Sequence, residues 1–120
     1  MARLNYIVTV ISITLMYVVA QELYSDKYDD IDVMSILENE QIFNKIYGCF
    51  MDTFPCETEA GKFFKGIFPE AVQTNCKKCT EKQKNNLNLA ADWMTKNKPN
   101  EWQALVAKSV EEMKMKNVGQ

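Results

Sequence analysis

The chain has 120 residues, room for one domain, with 14 basic and 16 acidic side chains, a formal charge of −2 and no histidine. A mildly acidic surface of mixed sign argues against nucleic acid or an anionic membrane as partner. The missing histidine removes the commonest general base and the commonest metal ligand together.

Residues 1–20 read as a secretory signal rather than as part of the fold. Arg3 precedes an apolar run from Leu4 to Val19, interrupted by Asn5, Thr9, Ser12 and Thr14. Val18 and Ala20 then supply the small residues that precede cleavage after Ala20. A membrane anchor needs roughly 20 apolar residues. This run is shorter and holds polar residues, and no other stretch could span a bilayer. The expected mature domain is 21–120, secreted, with no stable membrane insertion after cleavage. Losing Arg3 leaves 13 basic against 16 acidic residues, a charge of −3.

Residues 21–30 are polar and expected to be extended, anchored by Leu23, Tyr24 and Tyr28. Asp30 is placed to cap a short first helix whose apolar residues Ile31, Val33, Met34, Ile36 and Leu37 crowd one side. A second helix is expected from about Glu40 until Phe54-Pro55. Its apolar residues, Ile42 to Met51, cover much of the circumference, which makes it central. Thr58 suits the cap of a third helix, where Phe64, Ile67, Phe68 and Ala71 fall at i, i+3, i+4 and i+7. Pro69 should kink or loosen it. Thr80 with Gln83 forms a capping box for a fourth helix, striped by Leu87, Ala90, Ala91 and Met94. Pro99 fits the first position of a fifth, whose stripe runs from Trp102 to Met113. Beyond Lys114 the pattern fades. The reading is all-α: about five short amphipathic helices, marginal alone and held by packing.

All four cysteines lie in the expected mature part, spaced C-x6-C-x19-C-x2-C. An even count in a small secreted chain reads as a disulfide framework. Three pairings can be drawn. The spacing favours neighbours, Cys49 with Cys56 and Cys76 with Cys79, because short loops close at small entropic cost. Such loops also stabilise least, so they set local turns more than they hold the fold. A thioredoxin-like CxxC follows a strand in a βαβ unit, and no strand is evident here. Zinc is disfavoured because x6 is too long for a knuckle. The acidic cluster Asp29, Asp30 and Asp32 suits the positive end of the first helix. With no phosphate loop, nucleophile elbow or histidine dyad, no enzyme is expected and no cofactor is required.

Apolar surface remains, rich in Met and aromatic residues. Flexible Met and flat rings can line an adaptable cavity. Close packing is nevertheless the default, and composition alone leaves a solid and a hollow core both open.

A series of ordered motifs narrows the choice. Lys27-Tyr28-Asp29-Asp30-Ile31-Asp32 leads to Ile36-Leu37, then Cys49-Phe50-Met51-Asp52 with Cys56, then Phe68-Pro69-Glu70-Ala71-Val72. Cys76-Lys77-Lys78-Cys79-Thr80-Glu81-Lys82-Gln83 follows, and Lys98-Pro99-Asn100-Glu101-Trp102-Gln103-Ala104-Leu105 closes the run. From about Leu23 to Lys108 the chain resembles the insect chemosensory proteins, the olfactory-segment-D-like family. That resemblance implies a compact bundle of five to six helices around a narrow apolar channel, with neighbour-paired disulfides. It implies a monomeric carrier in lymph that reversibly holds semiochemicals, pheromone-like molecules or fatty-acid derivatives. The alternative it carries is a developmental or defence-related interaction factor of the same fold. Tyr28 and Trp102 match family aromatics at the channel or its mouth, and Ile42, Phe43, Ile46, Phe50 and Met51 lie on the matching central helix. Phe64, Ile67, Val72, Leu87 and Met94 are chosen as wall residues by stripe position. Each of these also reads as a plain core residue. Two departures stand out. The Cys56–Cys76 spacing is one residue longer than usual, and Ser109-Val110-Glu111-Glu112 replaces the Tyr-Asp-Pro that precedes the family's last helix. The sixth helix is therefore expected to be missing or replaced by an extension of the fifth, leaving one end of the channel more open.

Overall fold

The structure is a computed structural model and describes residues Glu22 to Val118; the expected signal segment lies outside the described residues. Five helices follow an extended, turn-containing lead: α1 Val33–Glu38, α2 Glu40–Phe50, α3 Glu59–Gln73, α4 Glu81–Asn97 and α5 Pro99–Val118. There is no strand among the described residues, so the all-α expectation holds.

Side-chain caps start four of the helices. Asp32, Asn39, Thr58 and Thr80 are all extended in backbone and accept hydrogen bonds from Ser35, Ile42, Gly61 and Gln83 N–H groups. The first cap corrects the expected Asp30. Asp32 sits three residues before a free N–H, whereas Asp30 is drawn to Lys82 at 2.9 Å. The capping box is present: Thr80 N donates to Gln83 Oε1 at 3.0 Å while Gln83 N donates to Thr80 Oγ1 at 3.2 Å.

Left-handed residues end α2 and α3, whereas α4 stops at Asn97, just before Lys98-Pro99, as the proline predicts. Asp52 has φ 61° and Asn75 φ 55°. Around Asp52, Thr53 N donates to Gly48 O at 2.8 Å and Asp52 N to Cys49 O at 3.3 Å. Around Asn75, Cys76 N donates to Ala71 O at 2.8 Å. The first makes both bonds of the Schellman pattern and the second its longer bond, with Asp or Asn in the place usually taken by glycine and Cys76 also left-handed at φ 63°. So α2 stops at Phe50, four residues short of the expected Phe54, and the chain folds back over its own last turn. Gly48 permits this: a Cβ there would meet the Phe54 Cβ at 2.8 Å.

The two disulfides are Cys49–Cys56 and Cys76–Cys79, each clipping one of these reversals, as the spacing favoured. Helix α3 runs through Pro69 without a break. Helix α5 continues to Val118, beyond the fading stripe at Lys114, and packs along α3 more extensively than any other helix pair. Of the two expectations for the carboxyl end, extension of the fifth helix is what the described residues show. Leu37, Phe43, Met94 and Leu105 form the buried centre, one from each of α1, α2, α4 and α5.

Candidate functional site: an apolar cavity

Inside the bundle is a cavity of about 360 Å³ to which every helix contributes wall. Along α3 the wall runs from Ala60 to Ala71, about 16 Å of helix axis at 1.5 Å per residue. The cavity is therefore elongated. Aromatic rings line part of it: Phe50 and Phe68 meet edge to face at 5.2 Å, and Phe68 meets Trp102 at 6.2 Å. Among the described wall residues none is charged. Nor, among the described residues, does any group of three or more His, Cys, Asp or Glu side chains come together as a metal site.

Of the residues singled out in the sequence, Ile42, Phe43, Ile46, Phe50, Phe64, Ile67, Leu87, Met94 and Trp102 are brought together on this wall. Three are not. Tyr28 lies outside, its ring 5.3 Å from Phe63 and 6.2 Å from Phe64. Met51 sits past the last turn of α2 and packs against the core cluster instead. Val72 is half-buried but off the wall. Each four-residue step on a helix drifts about 40°, so the series Phe64, Phe68, Val72 leaves the inward face by its third member.

The sequence reading missed several wall residues. Ile31, Val33, Ile36 and Leu37 come from the lead and α1. Their apolar crowding was visible, but nothing local says that so short a helix faces the cavity. Cys76 and Cys79 line it too, because the Schellman reversal turns the small disulfide inward. The polar contributors Gln83 and Asn86 carried no signal in a hydrophobic stripe.

The lead segment is strapped across the junction of α3 and α4. The Tyr24 hydroxyl donates to Glu70 Oε1 at 2.5 Å and Tyr24 N to Lys78 O at 2.8 Å. Gln83 Nε2 donates to Ser25 O at 2.8 Å, and Thr80 Oγ1 to Asp29 Oδ2 at 2.8 Å. Burial, with the Glu70 bond second, pushes the Tyr24 phenol well above its ordinary range. The same bond, helped by Lys78, lowers the Glu70 carboxyl. These ties hold Ile31 in the wall. On the opposite flank, Asp52 bridges Lys108 of α5 at 2.7 Å and Lys65 of α3, tying the α2 reversal to the α3–α5 pair.

Both the sequence and the helical fold that encloses this cavity are matched in known proteins. A sequence model of the insect pheromone-binding family, A10/OS-D, matches residues 24–117. Ejaculatory bulb-specific protein 3 of Drosophila melanogaster is 36% identical over 105 residues, covering 88% of this chain and 82% of the relative. Allergen Tha p 1 of Thaumetopoea pityocampa is 38% identical over 87 residues, covering 72% of this chain and 68% of its own length. Among solved structures, a chemosensory protein in complex with bromo-dodecanol superposes with a TM-score of 0.69 at 32% identity, covering 74% of this chain and 88% of that one. The antennal chemosensory protein A6 of the moth Mamestra brassicae gives 0.61 at 34% identity, covering 72% and 79%. Matched along most of its described length in both sequence and fold, the chain belongs to the insect A10/OS-D family of chemosensory and pheromone-binding proteins.

Proposed function

We propose that the chain is a secreted, monomeric carrier that reversibly holds one long apolar molecule, not an enzyme. The observation that carries this reading is the elongated, uncharged cavity of about 360 Å³. A methylene displaces roughly the volume of a water, ~30 Å³, so the space suits about a dozen heavy atoms. Burying each methylene contributes about 0.8 kcal/mol. A dozen of them give about 10 kcal/mol before ordering costs, which leaves micromolar affinity within reach. The similar structure that holds bromo-dodecanol supports the same ligand class. Residues 1–20 would direct the chain to the secretory route, and 21–120 would be the carrier that circulates in lymph.

The test is displacement of N-phenyl-1-naphthylamine from the mature protein by 1-dodecanol and other C12 compounds. Micromolar displacement is expected; no displacement by any of them would sink the carrier reading. A second reading, a secreted developmental or defence-related factor with the same cavity, is favoured by one observation. A relative 36% identical to this chain is named for the ejaculatory bulb and not for a sensory organ. Expression confined to antennae argues for chemosensation, and broad epidermal expression for the alternative.

A further inference from the structure

We propose that the lead from Tyr24 to Ile31 is a lid on the cavity, latched at Tyr24 and hinged at Asp32, and that its opening sets how fast cargo enters and leaves. This rests on the carrier reading and assigns the route by which that site exchanges its ligand.

The lid covers a seam that the helices leave unpacked. Helices α3 and α4 meet at the reversal that joins them, but they do not pack along one another as α3 does with α5, or α4 with α1 and α5. The lead lies along that seam. Tyr24 is bonded to Glu70 near the end of α3 and to the Lys78 carbonyl inside the Cys76–Cys79 loop. Four residues on, the Tyr28 ring rests on Phe63 and on the wall residue Phe64, about two turns back along α3. Asp29 and Asp30 reach Thr80 and Lys82 at the start of α4. Ile31 ends the crossing as part of the wall itself.

The hold on this segment is mostly polar. Among the described residues 22–32 none is fully buried, and the core cluster takes its members from Val33 onward. The ties are hydrogen bonds and one exposed ion pair, groups that water satisfies when the segment lifts. Closure also carries a cost, because Asp29 Oδ1 is buried with no hydrogen-bonding partner among the described residues. Few buried apolar contacts and water-exchangeable ties mark a segment of low local stability. The far end is fixed. Asp32 caps α1 through Ser35 N at 3.2 Å and Ser35 Oγ at 2.7 Å, and Val33 and Met34 pack against the core. The other wall residues outside helices are pinned, Thr58 as the cap of α3 and Cys76 and Cys79 by their disulfide. Ile31 can therefore swing out with the lead while the five helices stay in place.

A lid has a kinetic signature. The Tyr24–Glu70 bond is made whether the closed cavity is empty or full, and it breaks when the lid lifts. Weakening it raises the open population equally for entry and exit, so kon and koff rise together and Kd stays. A residue that touches the cargo changes Kd instead.

The experiment follows, by stopped-flow fluorescence on the mature protein, entry of N-phenyl-1-naphthylamine and its release into excess 1-dodecanol. It compares wild type, Tyr24→Phe, Glu70→Gln and the double variant. In Tyr24→Phe, kon and koff should both rise about threefold to tenfold, with Kd within about twofold of wild type. Glu70→Gln keeps an acceptor but removes its charge, so both rates should rise less. The double variant should be no faster than Tyr24→Phe, since one bond is at stake. Circular dichroism confirms folding, and Glu70→Gln carries the test if Tyr24→Phe does not fold. The rival opening is at the start of α2, where Ile42 stands on the wall yet is 42% exposed. Both rates slowed by Ile42→Trp but unmoved by Tyr24→Phe and Glu70→Gln would overturn the lid in favour of that opening. A change in Kd through koff alone would also overturn it, making the lead a fixed part of the wall. If the probe does not bind wild type at all, the carrier reading falls and takes this proposal with it. Tight binding with rates indifferent to the latch overturns this proposal alone.

Discussion

Replacing Ala90 by leucine separates a hollow interior from a solid one by the sign of its effect. Ala90 lies on the inward stripe of α4 and on the cavity wall. Leucine adds three carbons and is nearly as good a helix former. In a close-packed core those carbons would collide, at a cost of about 1–3 kcal/mol. In the cavity they are buried without displacing protein, and at about 0.8 kcal/mol per carbon they stabilise by ~2 kcal/mol. For a domain of this size that raises the melting temperature by about 10 °C. The same three carbons occupy roughly 90 Å³ at ~30 Å³ each, a quarter of the 360 Å³. A C12 ligand then gives up about three methylenes of contact, near 2.4 kcal/mol, or about fiftyfold in Kd. The assay pairs thermal unfolding by circular dichroism, disulfides intact, with probe displacement by 1-dodecanol. A variant that melts lower and binds as before would refute the reasoning, because it would place Ala90 in ordinary close packing.

Two glycines should respond in opposite directions. Gly66→Ala, where an added Cβ meets nothing within 4 Å, should gain about 0.5–1 kcal/mol from helix propensity. Gly48→Ala should lose stability despite the same gain, since its Cβ would fall 2.8 Å from that of Phe54; equal melting shifts would contradict the folded-back turn. The Asp52 carboxyl is held at about 2, below its ordinary 3.8, by Lys108 and then Lys65. Its contribution is therefore present above about pH 4 and lost as pH falls toward 2, and Asp52→Asn should flatten that part of the acid-denaturation profile. At Asn75, φ 55°, glycine should be tolerated while valine costs about 1–2 kcal/mol in chemical denaturation; equal midpoints would deny the left-handed turn.

Helix type and order were legible because the signals are local: Thr58, Thr80 with Gln83, and Pro99 each mark a start by its own chemistry. The ends were less so. Asp52 and Asn75 stop their helices by adopting a conformation that glycine advertises and they do not, and Phe54-Pro55 was the louder signal nearby. The cap at Asp32 was misjudged among three neighbouring aspartates, because the competing partners of Asp29 and Asp30 lie 51 and 52 residues away. Stripe positions did point to much of the cavity wall. Periodicity, however, says only that a side chain faces inward. Whether it meets another side chain or empty space depends on how five helices cross, and no single helix encodes that. Gln83 and Asn86 show the limit most plainly: on the sequence they interrupt a stripe, and in the fold they are the amides of the wall.

Because all five helices furnish wall, the cavity has no existence apart from the complete fold, and its contents act as a piece of core that the gene does not specify. Cargo and chain are then thermodynamically one body. At a hundred times the dissociation constant a ligand adds about 2.7 kcal/mol to the folded state, comparable with the best-placed leucine. If the carrier reading holds, the loaded protein would be the durable one, and the emptied protein the one that proteases meet in a loosened state. Delivery would thus carry its own clock: giving up the passenger shortens the life of the vehicle.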